Sequence, residues 1–78
     1  MLEDVKKALG IEGDYQDDNI TPYIESTLVF IRKAGVKESD ITAGLVARGV
    51  SDTWNYGAGE GKFSQSFMYM VAQLALGE

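Results

Sequence analysis

VARGVSDTWNYGAGEGKFSQ, residues 46–65, decides the fold. Val46, Ala47, Val50 and Trp54 recur at helical spacing, the pattern then breaks over Gly57, Gly59 and Gly61, and it restarts at Ser64. Glycines alternating with Ala58 and Glu60 cannot carry a helix onward and give the backbone angles closed to other residues. The segment therefore predicts two helices joined by a Gly-rich loop. Trp54 and Tyr56 precede that loop while Phe63 and Phe67 follow it, and rings this large serve as buried anchors or as contact surface.

Downstream, Ser64 is the expected N-cap of the last helix, with Phe63 before it and Met68 four residues after it, the positions of a hydrophobic staple. No charged residue occurs between Phe63 and Gly77. Phe67, Met70, Val71, Leu74 and Ala75 form its core face. The other side offers Gln65, Ser66, Tyr69, Gln73 and Leu76, where a solvated helix normally carries Lys or Glu, so this side is expected to be covered by another subunit. Upstream, Ser39 is the expected N-cap of a third helix reaching Trp54. Ala43, Val46, Ala47, Val50 and Trp54 form one apolar side, whereas Ile41 and Leu45 point away from it beside Arg48 and Asp52, which predicts contact with a neighbour as well as with the chain's own core.

Near the N-terminus, Leu2, Val5 and Leu9 define a short helix, with Glu3, Asp4, Lys6 and Lys7 opposite and Gly10 in the C-cap position. The stretch 11–18 is acidic, but it lacks the alternating oxygen ligands, sixth-position glycine and twelfth-position glutamate of a calcium loop. Asp17 or Asp18 is instead expected to cap a second helix running from about Asp18 to Ala34 and ending at Gly35. Its broad apolar face comprises Ile20, Tyr23, Ile24, Thr27, Leu28, Phe30 and Ile31. Either Thr21 caps a helix beginning at Pro22 or the first turn is kinked, and the inclusion of Ile20 in the stripe favours a start at Asp18 with local distortion.

Seventy-eight residues make a single domain, 1–78, close to the size at which one apolar core is just sufficient. With no Cys and no His, disulfides and the usual zinc ligands are absent, leaving self-association or a well-packed helical monomer as the routes to stability. A net charge of -5 disfavours ordinary nucleic-acid and anionic-lipid binding. No run is long and apolar enough to span a bilayer, and no signal peptide is evident.

Motif by motif, chemistry is scarce. GAGEGK departs from a phosphate-binding loop because Tyr56 occupies the first glycine position, Phe63 follows Lys62, and no strand precedes. ARGVSDTW resembles the Gly-Val-Ser turn of helix-turn-helix proteins, yet the groove-facing positions Asp52, Thr53, Asn55 and Tyr56 lack any basic residue. Ser51, Ser64 and Ser66 have no histidine to activate them. Catalytic residues, cofactor sites and metal sites are accordingly expected to be none.

The runs GVSDTWNYGAGEGKFSQSF and DDNITPYIESTLVFIRKAGV together resemble the tailed-phage head-tail connector proteins, also called head-completion or adaptor proteins. Trp54, Asn55, Tyr56, Gly57, Gly59, Gly61, Phe63 and Ser64 fit that pattern. The resemblance implies a structural virion protein at the head-tail junction, assembled in the host cytoplasm and not an enzyme. Its implied partners are identical subunits in a ring, the phage portal protein, and a tail-side stopper or tail-completion protein, with DNA passing through without specific binding and no membrane involved. Candidate subunit or portal contacts are Ile41, Leu45, Trp54, Tyr56, Gly57, Gly59, Gly61, Phe63, Tyr69 and Leu76. The alternative is a small acidic binding module or a degenerate helix-turn-helix regulator, which coding context beside a repressor instead of beside portal and capsid genes would favour. The expected fold is all-α, a small bundle of three or four helices with the Gly-rich loop before the last.

Overall fold

The computed structural model describes residues 1–54 and 61–77. Four α-helices follow in order: α1 (Leu2–Leu9), α2 (Asp17–Lys33), α3 (Ala43–Thr53) and α4 (Gln65–Ala75), with a 3-10 turn (Glu38–Asp40) ahead of α3. The described residues contain no strand, so the fold is a small all-α bundle. Of the expected Gly-rich loop, Gly57 to Gly61, all but Gly61 lies outside the described residues.

Local chemistry explains most helix ends. Gly10 closes α1 in the left-handed conformation at φ 74°, donating its N–H back to the last turn. Acidic Glu3 and Asp4 open α1 and basic Lys6 and Lys7 close it, as the helix dipole favours. Pro22 lies inside α2, in its second turn, consistent with the early start. The missing proline N–H removes one helical bond, and Thr21 Oγ1 donates to the Asp17 carbonyl at 2.7 Å in the same turn.

Two caps differ from expectation. Gln16, not an aspartate, sits at the N-cap of α2 and makes no side-chain cap bond. Asp17 is drawn away by Lys6, whose Nζ lies 2.7 Å from its Oδ1. Ser39 does not open α3 either. Residues 38–40 form the 3-10 turn, Ile41 is extended, and Thr42 takes the cap, its Oγ1 accepting the Leu45 N–H at 3.1 Å.

The core gathers residues from every helix, including Val5, Ile20, Ile24, Ile31, Val46, Val50, Phe67 and Val71. On α2 the buried stripe is Ile20, Ile24, Thr27 and Ile31, with Tyr23, Leu28 and Phe30 half-buried at its edge. Thr27 is fully buried, and its hydroxyl donates to the Tyr23 carbonyl at 2.7 Å, which removes the cost of an unpaired polar group. Helix α3 packs against both α1 and α2.

Lys6, expected on the outer side of α1, is only 5% exposed. Its ammonium bridges to Asp17 at the start of α2 and, at 3.8 Å, to Glu3 on its own helix, so the long side chain ties α1 to α2. The hydrogen bond to Asp17 holds this ammonium above the ordinary lysine value despite the opposing effect of desolvation, and the carboxylates of Asp17, Glu3 and Asp14 add to the rise. In the unfolded chain the group titrates at about 10.4. The stabilisation is therefore complete below that pH and is lost as pH climbs through the raised folded value. Alkaline titration followed by circular dichroism should show a loss of helicity above about pH 10.4 that is smaller in Lys6→Met, which has no ammonium to discharge. Identical alkaline profiles for the two proteins would remove this role from the pair.

Candidate functional site

The candidate surface is built on α4, and its position is set by hydrogen bonds from α3. Ser64 caps α4, its Oγ accepting the Phe67 N–H at 3.1 Å. Asp52, one helical turn from Arg48 on α3, accepts from both the Ser64 N–H (3.1 Å) and the Ser64 hydroxyl (2.8 Å). Its carboxylate thus sits at the positive end of the α4 dipole. Arg48 Nη2 donates to Ser66 Oγ at 3.0 Å, so a two-point polar clasp holds the start of α4 against α3.

Below the clasp, three rings continue the attachment. Phe63 lies 4.6 Å from Phe30 and 5.0 Å from Phe67, centroid to centroid, and Phe30 lies 6.0 Å from Phe67. Phe63, placed by the sequence pattern in a staple with Met68, is therefore half-buried between α2 and α4. Phe67 and Val71 are fully enclosed, and Met70, Leu74 and Ala75 are half-buried beside them.

The opposite side of α4 faces outward and carries no charge. Tyr69 is 65% exposed and Leu76 75% exposed, and Met68 joins them. Both Tyr69 and Leu76 thus lie where a partner can reach them. Other candidate contacts lie elsewhere. Leu45, expected on the outward side of α3, is only 7% exposed because α1 lies over that side of the helix, and Ile41 is half-buried against the same core. Trp54 is buried at the C-cap of α3. Gly61 is exposed with φ 80°, whereas Tyr56, Gly57 and Gly59 lie outside the described residues. Met68, named in the sequence pattern only as the staple partner of Phe63, is an exposed residue that the pattern did not offer as a contact.

Other chemistries have little to build on here. Among the described residues no group of three or more metal-binding side chains converges. The hydroxyls of Ser64 and Ser66 are engaged with Asp52 and Arg48. Gly49, Val50 and Ser51 are continuous α3 helix, so the Gly-Val-Ser segment forms no helix-turn-helix turn. No described helix is long and apolar enough to cross a membrane.

Comparison with curated proteins and with solved structures finds no match. Comparison with protein families does: the profile described as phage gp6-like head-tail connector protein matches residues 1–77, nearly the whole chain and every helix described above. The chain therefore belongs to the phage gp6-like head-tail connector family, structural proteins of the bacteriophage virion that join head to tail.

Proposed function

We propose that the chain is one subunit of a homo-oligomeric ring seated at the portal vertex, between the portal protein and a tail-side stopper or tail-completion protein, where it continues the DNA channel toward the tail. The observation that carries this reading is the outer side of α4. Tyr69, Leu76 and Met68 are exposed on an uncharged helix, although the chain as a whole contains 7 basic and 12 acidic residues. A solvated helix side would carry some of those charges, and a subunit contact accounts for their absence. Family membership supplies the setting in which that contact forms. The net charge of -5 suits a conduit, because an acidic body repels the duplex and lets it slide, whereas a basic one would hold it by counterion release.

Native mass spectrometry across a concentration range, paired with a particle-assembly assay, tests the reading. The parent chain is expected to form closed oligomers and enter particles, Tyr69→Lys to remain folded but fail at both, and neither protein to shift duplex DNA at physiological salt. A Tyr69→Lys chain that enters particles as the parent does, together with a parent that stays monomeric throughout, overturns the ring. Tight duplex binding by the parent would instead support a regulator.

A further inference from the structure

On the side of α4 away from its exposed face, α1, the 3-10 turn, α3 and α4 line an open groove of about 740 Å³. Ala8 and Leu9 of α1, Leu45 of α3, and Met70 and Leu74 of α4 supply the apolar part of its lining, and Asp40 and Arg48 are among the polar residues that complete it. We infer that this groove receives the exposed face of α4 from a second copy, so that copies join through two different surfaces. The inference rests on the ring reading and specifies how its subunits meet.

Charge selects the occupant. A charged side chain set against the apolar part of the groove would lose its hydration without a partner, so a neutral helix face suits that part best. Among the described helices, the exposed positions of α1 include Glu3 and Asp4, those of α2 include Glu25 and Lys33, and α3 exposes Arg48. Helix α4 carries no charge at all. Its outer side presents Tyr69, Leu76 and Met68, with Gln65 and Gln73 able to hydrogen-bond to Asp40 or Arg48 of the groove lining.

Placement makes the contact directional. Successive residues of a helix are about 100° apart, so Leu74 in the groove and Leu76 on the exposed face lie about 160° apart around α4. The same offset separates Met70 from Met68. One chain thus carries the giving and the receiving surface on opposite flanks of a single helix, and a contact between unlike surfaces propagates from copy to copy, closing into a ring where the rotation permits. The Asp52–Ser64 and Arg48–Ser66 hydrogen bonds set α4 against α3 and so define the angle between the two surfaces.

The test uses one variant for each surface at solvent-exposed positions, Ala8→Arg in the groove and Tyr69→Glu on the outer face, with Leu76→Glu as a second outer-face variant. Ala8 lies in the last turn of α1, where a positive charge suits the helix dipole, and circular dichroism checks that each variant folds. Each variant alone should self-associate at least about tenfold more weakly than the parent. Mixed in equal amounts, Ala8→Arg and Tyr69→Glu should form a 1:1 dimer and nothing larger, because each retains the surface the other lacks. A mixture that stays monomeric while the parent forms oligomers overturns the groove assignment and leaves the ring standing. Monomers in both overturn the groove assignment, and the ring as well where Tyr69→Lys enters particles as the parent does. Variants that associate like the parent, or that form like-with-like dimers, would show that another surface holds the copies together.

Discussion

Phe67→Ala is expected to leave the chain largely unfolded at room temperature. Phe67 is fully buried where α4 meets both neighbouring helices, with the rings of Phe30 and Phe63 against it at 6.0 and 5.0 Å. Removing such a ring typically costs about 3–5 kcal/mol, since the transfer free energy is lost and the surroundings collapse only in part. The Phe30 and Phe63 rings also lose a partner whose geometry contributes about 0.5–1.5 kcal/mol per pair beyond area burial. A domain of this size rarely draws more than about 3–5 kcal/mol from its core, so one truncation removes most of the available stability. Urea titration followed by far-ultraviolet circular dichroism checks this. A cooperative transition near the parent midpoint would show that α4 is not integral to the fold, whereas Phe67→Leu, which keeps most of the apolar volume, should retain a folded baseline and a smaller loss.

How much of this was legible depends on how far each feature reaches along the chain. The ends at Gly10, near Asp18 and at Ser64 were readable because their signals are local: a left-handed glycine, an apolar stripe that begins at Ile20, and a serine before an uncharged apolar run. The start of α3 was not, since Ser39 and Thr42 are both competent caps three residues apart. The choice fell to Thr42, after an extended Ile41 that reaches the core.

Longer-range features left weaker traces. A helical wheel of α3 places Leu45 outward, but a wheel cannot know that α1 will lie there. Lys6 looked like a solvated residue because its partner, Asp17, belongs to the next helix. The Asp52 carboxylate reaches Ser64 across the loop, twelve residues away, and nothing in either residue's immediate neighbours announces the contact. The candidate surface divides in the same manner. Its exposed half, Tyr69 and Leu76, follows from an absence of charge within one helix, whereas the groove exists only once three helices have come together.

Gly49 is the residue whose importance the sequence conceals most, and Gly49→Ala is expected to destabilise the protein although the exchange favours the helix. Alanine gains about 1 kcal/mol over glycine in a helix interior, and Gly49 lies in the middle of α3. Against that, a β-carbon at position 49 would stand 2.6 Å from Thr27 Cγ2 and 2.8 Å from Phe67 Cζ, both closer than carbon atoms can approach. Neither neighbour is free to withdraw. Thr27 is β-branched and fully buried, and turning its methyl aside would break the 2.7 Å bond from its hydroxyl to Tyr23, while Phe67 is held among the other two rings. Overpacking of this kind costs about 1–3 kcal/mol, enough to outweigh the helical gain. The cause can be separated from a general intolerance of α3 by adding Thr27→Ser, which removes the obstructing methyl and keeps the hydroxyl. The double variant should recover part of the loss, a coupling that residues not in contact would not show. Chemical denaturation of the four proteins in the cycle measures it: Gly49→Ala at or above parental stability, or losses that simply add, would mean that the approach of α2, α3 and α4 at this glycine does not limit the packing of the bundle.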